Sequence, residues 1–413
     1  MHGFTDLQGS LSGRRTRRKT EAMLLLCKNG DVYTPKAAGR QDIFVTGNKF
    51  VGLFPPGTLT ESALRTLDPE LEILDAGDCR IIPGIIDRHV HFNGAGGEGG
   101  PVNRTPPLQL SSFIKAGVTA VVGMLGTDGT CRSLRELLAK ARALEAEGLN
   151  TWILTGSYRL PSVTLTGGVT DDLCLIDKVI GLKIALSDHR CSHPSIETVR
   201  QAVSDARLGG ILSGKNGIVC VHMGDEETDF SPMIEAVAHT GIPLAQFAPT
   251  HISRNETLLK EAVGFARLGG TLDITVAPGE KPAFGLPVRR TVQFLLGQGV
   301  KGEQITFSSD GNGSMPRFDA KGKLVGMGVG PISAVLESLL ELWDDPAFDA
   351  ETVLRMATSN AADQLGLSGK GRITRGADAD FLVLEKNGSL RHVVIGGALM
   401  MRDGVVIKKG TFE

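Results

Sequence analysis

The stretch VIGLKIALSDHRCSHPSIETVRQAVSDARLGGILSGKNGIVCVHM, residues 179–223, decides the fold. An apolar run, Val179–Leu186, gives way to a loop and then to a segment of helical period over Ile196–Leu208. A second apolar run, Ile218–Val221, follows. Short apolar runs read as buried strands, and the period between them reads as an amphipathic helix. The pattern extends outward in both directions. Runs at Ile81–Ile86, Val118–Met124 and Trp152–Thr155 precede it, and Leu244–Phe247, Thr271–Val276 and Ile305–Phe307 follow. Helical periods cover Ser133–Glu147, Asn255–Leu268 and Val288–Leu296. Eight buried runs alternating with helices predict an α/β fold, a (β/α)8 TIM-type barrel, over residues 81–367. In such a barrel the chemistry sits at the C-terminal ends of the strands.

The flanks read differently. Short β segments at Met23–Cys27, Asp42–Val45 and Phe50–Gly52 are broken by Asn29-Gly30 and Pro55-Pro56-Gly57. Similar segments return at 379–384, Leu390–Ile395 and 405–409. They predict a small β-sandwich domain assembled from residues 23–80 and 368–413. Residues 1–22 carry Arg14, Arg15, Arg17, Arg18 and Lys19 and read as a disordered, tag-like basic tail or an upstream start, with Met23 opening the folded part. The leucines at 24–26 are too few for a signal-peptide core.

Composition excludes whole classes. The 413 residues hold 44 Lys+Arg against 46 Asp+Glu, a net charge of −2, which excludes electrostatic nucleic-acid binding as the main role. No apolar run approaches the roughly 18 residues of a membrane span. The 53 glycines fit many tight loops. Six scattered cysteines without a C-x-x-C pair read as buried free thiols in a reducing cytoplasm.

Ionisable residues gather at the run ends. The first run leads into Asp87-Arg88-His89-Val90-His91, and residues two apart on a strand face one way, so His89 and His91 can converge on one metal. Lys183 stands inside a strongly apolar run, where an unpaired ammonium is costly and needs a partner, a neutral state or chemical conversion. Run five ends at His222, run six at His251 and run eight at Asp310. Five strand tops thus offer metal-binding groups.

This constellation resembles the amidohydrolase superfamily, in its binuclear zinc branch with a carboxylated lysine. Within it the chain is similar to the isoaspartyl dipeptidases (β-aspartyl peptidases) from about Asp31 to the end. The segments that carry the resemblance are His89-Val90-His91 with 94–98, 125–128, 154–158, 187–190, 222–225, 249–254 and 308–314. The resemblance implies two Zn2+ per chain. One would be held by His89, His91, Asp310 and Lys183 carboxylated by CO2 (N6-carboxylysine), the other by Lys183, His222 and His251. It also implies hydrolysis of the β-aspartyl bond by a zinc-bridged hydroxide, with Asp310 as the proton carrier and Tyr158 steadying the oxyanion. Glu98 suits the substrate's ammonium, Arg190 and Arg254 its carboxylates, and Thr127 and Ser314 complete the pocket. The family further implies a homo-oligomer, commonly an octamer. His189 and His193 read as hydrogen-bonding or surface groups, and His2, His239 and His392 as incidental.

Two rivals stand beside this reading. A dihydroorotase, hydantoinase or D-aminoacylase would share the metals but has no evident use for Glu98 together with Arg190 and Arg254. A non-catalytic hydantoinase-like scaffold would have lost ligands, whereas all six are present here.

Overall fold

The computed structural model describes residues 24–227, 230–282, 284–318 and 324–413; the basic tail and Met23 lie outside the described residues. Strands β1 (Leu24–Tyr33), β2 (Ala37–Thr46) and β3 (Lys49–Phe54) form an antiparallel meander. Helix α1 (Glu61–Leu67) leads to β4 (Glu72–Asp75) and β5 (Arg80–Pro83), both parallel to β1.

The barrel then runs in strict alternation. Its units are β6 (Ile85–Val90) and α2 (Leu110–Lys115), β7 (Val118–Gly123) and α3 (Leu134–Glu147), and β8 (Asn150–Gly156) and α4 (Val169–Leu175). They continue with β9 (Val179–Leu186) and α5 (Ile196–Ser213), β10 (Ile218–Met223) and α6 (Ser231–Val237), and β11 (Phe247–Thr250) and α7 (Glu256–Arg267). Last come β12 (Leu272–Thr275), α8 (Val288–Gly297) and β13 (Ile305–Ser308). Strands β6 to β11 pair in parallel in sequence order, as do β12 and β13. Side chains close the ring: Ser309 bonds Asp87, and Thr250 Oγ1 donates to Asp273 Oδ2 at 2.8 Å. The expected TIM-type barrel is present.

A hairpin of β14 (Ser314–Phe318) and β15 (Leu324–Val329) follows the last barrel strand. Helices α9 (Ala334–Trp343), α10 (Ala350–Ala357) and α11 (Ser359–Leu365) come next. Then β16 (Phe381–Leu384), β17 (Leu390–Ile395), β18 (Ala398–Arg402) and β19 (Val405–Val406) return to the N-terminal strands. One nine-stranded sheet results among the described residues, ordered β19-β18-β17-β16-β5-β1-β2-β3 with β4 beside β1. The two chain ends therefore build one β unit together.

One expected strand is two. The run Ile81–Ile86 divides at Gly84: Ile81–Pro83 pair with β16 in the terminal sheet, and Ile85 onward pairs with β7. A Cβ on Gly84 would sit 2.1 Å from Thr119 Oγ1, so only glycine lets the chain cross between the sheets there. Periodicity could not show this, because both halves are equally buried. The run Leu244–Phe247 shifts too: 244–246 is a short 3-10 turn and the strand starts at Phe247.

Alternation along the strands separates two cores. Val121, Leu182, Ile184, Leu186, Val219 and Val221 face the helices in one large apolar cluster. Ile86, Ala120, Val122, Leu154, Ile180 and Cys220 form another inside the barrel, floored by Ala361, Ala362 and Leu365 of α11. Lys183 and His222 fall between outward-facing neighbours and so point inward, as the two-residue period requires. The helices that brace this wall are well started: Ser133, Ser195 and Asn255 accept from backbone N–H groups of α3, α5 and α7. Such caps contribute about 1 kcal/mol each.

Candidate active site

The barrel's C-terminal face turns its backbone over at two site residues. His251 (φ 64°) and Asp310 (φ 49°) both adopt the left-handed region, which is uncommon outside glycine although Asp and His enter it more readily than most residues. The turn carries Asp310 to His91, with Oδ1 3.1 Å from His91 Nε2 and 3.5 Å from His89 Nε2. That oxygen is buried and makes no hydrogen bond. Among the described residues, His89, His91 and Asp310 form a group able to hold a metal ion.

The other expected ligands stand around this group. Lys183 is fully buried with Nζ 3.5 Å from His89 Nε2 and 3.8 Å from Cys220 Sγ, and no carboxylate lies within ion-pair reach of it among the described residues. The His251 ring lies 5.1 Å from that of His89 and 4.5 Å from that of His222. Burial holds His89, His222 and His251 well below the usual imidazole range, with neighbouring positive charges adding to the effect, so they are neutral at pH 7. Neutral imidazoles, an unsatisfied carboxylate oxygen and an unpaired buried amine form a donor set suited to divalent metal.

His91 is poised, because Nδ1 faces the Met124 carbonyl at 3.0 Å, which can only accept, leaving the Nε2 lone pair toward Asp310. His222 is engaged otherwise. Its Nδ1 meets the Tyr158 hydroxyl at 2.7 Å, and its Nε2 faces Asp188 Oδ2 at 2.9 Å and the guanidinium groups of Arg254 and Arg190 at 3.2 and 3.3 Å. In this arrangement it is the one expected ligand whose two nitrogens both meet protein groups of another role.

The expected substrate residues line the same cavity: Glu98, Thr127, Tyr158, Arg190, Arg254 and Ser314 border it with His91, His222 and Asp310. Glu98 accepts from Ser314 Oγ (2.6 Å), Thr127 Oγ1 (2.8 Å) and Arg190 Nη1 (2.6 Å). Burial pushes its carboxyl up, but these donors outweigh it and hold the group below the usual carboxylate range. Arg190 is clamped by Asp188 through Nε (2.8 Å) and Nη2 (2.6 Å). Arg254 donates from Nε to the Met223 carbonyl at 3.0 Å and stacks on Phe284, 5.1 Å from the ring centre. Burial pushes the Tyr158 hydroxyl well above its ordinary range, so it stays a proton donor.

Sequence reading missed three contributors. Asp188 was legible only as part of a motif, Phe284 carried no signal, and Asp273, a charge inside an apolar run, carried the same signal that singled out Lys183. His189 and His193 are surface groups, as expected, with His193 paired to Glu226 at 3.1 Å. His392 is buried in β17 and accepts from the Asp403 N–H. All six cysteines are free, but Cys131, in the loop between β7 and α3, and Cys174, in the last turn of α4, are exposed rather than buried.

Residues 287–400 match the amidohydrolase family. The chain is similar to the β-aspartyl dipeptidase of Fervidobacterium islandicum AW-1, whose structure was solved in complex with the β-Asp-Leu dipeptide. Identity is 40%, covering 93% of this chain and 98% of that one, with a TM-score of 0.85. A second structure of that dipeptidase gives 39% identity, the same coverage and a TM-score of 0.83. Among curated relatives, the dihydroorotase of Clostridium acetobutylicum is 28% identical over 141 residues, 32% of this chain and 30% of that protein. That of Streptococcus pyogenes serotype M3 is 25% identical over 273 residues, 62% and 61% respectively, so the chain spans less than two thirds of either. With a barrel whose strand tops carry this donor set and near-complete likeness to a dipeptidase at 40% identity, the chain belongs to the β-aspartyl dipeptidase family of amidohydrolases.

Proposed function

We propose that the chain hydrolyses the β-linked amide of isoaspartyl dipeptides. The observation that carries this reading is the shared cavity: an acidic pocket at Glu98 and two guanidinium groups, Arg190 and Arg254, border the same space as His91 and Asp310. A zwitterionic dipeptide with a free ammonium and carboxylates matches that charge pattern. Dihydroorotate has no ammonium for Glu98. Two zinc ions are the proposed metals, one held by His89, His91, Asp310 and carboxylated Lys183, the other by Lys183, His222 and His251. Carboxylation replaces a buried cation with an anion, which supplies the charge that Lys183's surroundings lack. Bound metals of this kind supply a hydroxide nucleophile at neutral pH and polarise the carbonyl.

The chain's own groups do the rest. Glu98 takes the ammonium, in exchange for the Arg190 guanidinium it holds in the free site. Arg190 and Arg254 take the carboxylates, as fork donors. Tyr158 turns its O–H from His222 Nδ1 to the carbonyl oxygen as negative charge develops there, a contribution of about 3–4 kcal/mol for one donor. Asp310 accepts the nucleophile's proton and delivers it to the departing amine nitrogen.

The division into a barrel (81–367) and a β unit (23–80 with 368–413) is part of the same proposal, as is a sandwich form for that unit. Strands distant in sheet order share one core, with Leu399 of β18 beside Ile43 and Val45 of β2, which supports a sheet curled on itself. Among the described residues, no helix is long and apolar enough to cross a membrane. A reducing, cytoplasmic setting is supported by the free cysteines. A homo-oligomer is supported by exposed Leu208, Ile211 and Leu212 on α5. Metal analysis of the purified chain, with chelation and zinc restoration followed by β-Asp-Leu cleavage, tests the mechanism: activity should vanish and return with zinc. Full activity in a metal-free preparation overturns it.

A further inference from the structure

Beneath the strand tops lies a buried carboxylate that the mechanism does not use. Asp273 of β12 is 1% exposed and is surrounded by donors. Thr250 Oγ1 lies 2.8 Å from Oδ2, Ser308 Oγ 2.6 Å from Oδ2, and Thr306 Oγ1 2.7 Å from Oδ1. Arg88 adds Nε at 3.8 Å, and its Nη1 donates to Thr306 Oγ1 at 3.0 Å. Since Thr306 already accepts from Arg88, its own hydrogen goes to Asp273.

The directions of these bonds propagate upward. A hydroxyl has one hydrogen and two lone pairs. Thr250 spends its hydrogen on Asp273, in a charge-assisted bond, so Thr250 Oγ1 can only accept from its other neighbours. Those neighbours are His89 Nδ1 and Thr275 Oγ1, both at 3.4 Å. Thr250 thus offers Thr275 a lone pair, and a Thr275 hydroxyl that donates to it accepts in turn from His251 Nδ1, 2.6 Å away. A neutral imidazole carries one N–H, so a ring that donates from Nδ1 presents a bare lone pair at Nε2.

We infer that Asp273 is a positioning residue that fixes both His89 and His251 in the Nδ1–H form through Thr250 and Thr275, presenting the two Nε2 lone pairs to metal. One carboxylate thereby sets the tautomer of a ligand in each of the two proposed metal positions. Such groups behind metal ligands commonly change metal affinity by about 10–100-fold when removed. The proposal rests on the metal reading above for its effect on affinity, but the tautomers themselves do not depend on it.

The test is zinc retention by the full chain against a chromogenic chelator. Thr275→Val removes the hydroxyl at nearly constant volume and should weaken one zinc about 10–100-fold while leaving the other. Thr275→Ser keeps the hydroxyl and should restore wild-type retention. Asp273→Asn, whose amide can donate to Thr250 and reverse the chain of bonds, should weaken both. Equal zinc retention in wild type and Thr275→Val, or equal loss in the Val and Ser variants, overturns the inference. If Asp273→Asn does not fold, the Thr275 pair decides alone. Histidine 15N shifts of the metal-free chain give a readout independent of zinc. His89 and His251 should show Nδ1–H in the wild type, and Nε2–H on either ring overturns the inference. A wild type that retains no zinc yet shows both rings as Nδ1–H would count against the metal reading and for the tautomer assignment.

Discussion

Glu98→Gln separates an isoaspartyl site from other metal-dependent amide hydrolases. The wild-type carboxylate accepts from Arg190 and Thr127 on Oε1 and from Ser314 on Oε2. Glutamine's carbonyl can keep the first pair, and its NH2 faces a hydroxyl at Ser314 that can turn to accept. The pocket's shape therefore survives, and the metal group at His91 and Asp310 is untouched. What is lost is the charge opposite the substrate ammonium. A hydrogen bond to a charged group contributes about 1.5–3 kcal/mol. The Glu98 side chain is 27% exposed, so water screens part of this and the lower half of the range applies. At about 1.4 kcal/mol per decade, kcat/KM for β-Asp-Leu should fall about ten- to fifty-fold. N-acetylating the substrate deletes the same ion pair from the other side. It should cause a comparable loss in the wild type and add little in the variant, because partners in one interaction are not additive. Steady-state kinetics of both substrates on both proteins measures the cycle. Two losses that simply add would show that Glu98 and the ammonium never meet.

Three further outcomes follow from the site. Lys183→Ala should abolish activity and release the metal shared with His222 and His251, with partial recovery in short carboxylic acids; unchanged metal content and turnover would make the lysine structural. Asp310→Asn removes the proposed proton carrier, so kcat should fall about 10²–10⁴-fold with little change in KM, and a near wild-type kcat would place the base elsewhere. The metal-free chain should lose stability as pH falls through about 6.5. His89, His222 and His251 stay neutral when folded but protonate when unfolded, so the unfolded state binds more protons. Asp87, pushed by burial up to about 7, gains a proton in the folded state and opposes them, one group against three. A melting temperature that rises between about pH 7.5 and about pH 5.5 contradicts this.

Much of the fold was legible because the barrel repeats one signal. The runs at Val118–Met124, Val179–Leu186 and Ile218–Val221 each became a strand, and the two-residue period leaves little freedom to Lys183 and His222 on the last two. The split at Gly84 was not legible, as it depends on how closely Thr119 approaches from a neighbouring strand. The candidate metal ligands stood out at the run ends, whereas Glu98, Thr127, Tyr158 and Ser314 came only with the family resemblance. The site's present connections were not legible: that Glu98 and Arg190 neutralise each other, and that Asp188 reaches both Arg190 and His222, depends on loop backbones with no periodic pattern. The left-handed turns at His251 and Asp310 leave only a weak trace in residue type, since Asp and His enter that region more readily than most residues but usually do not.

The most direct measurement places β-Asp-Leu, α-Asp-Leu and dihydroorotate together with the zinc-loaded chain and follows all three over time. Consumption of β-Asp-Leu to aspartate and leucine, with the other two unchanged, is the predicted result. Turnover of dihydroorotate or of α-Asp-Leu at a rate matching or exceeding that of β-Asp-Leu would contradict the account.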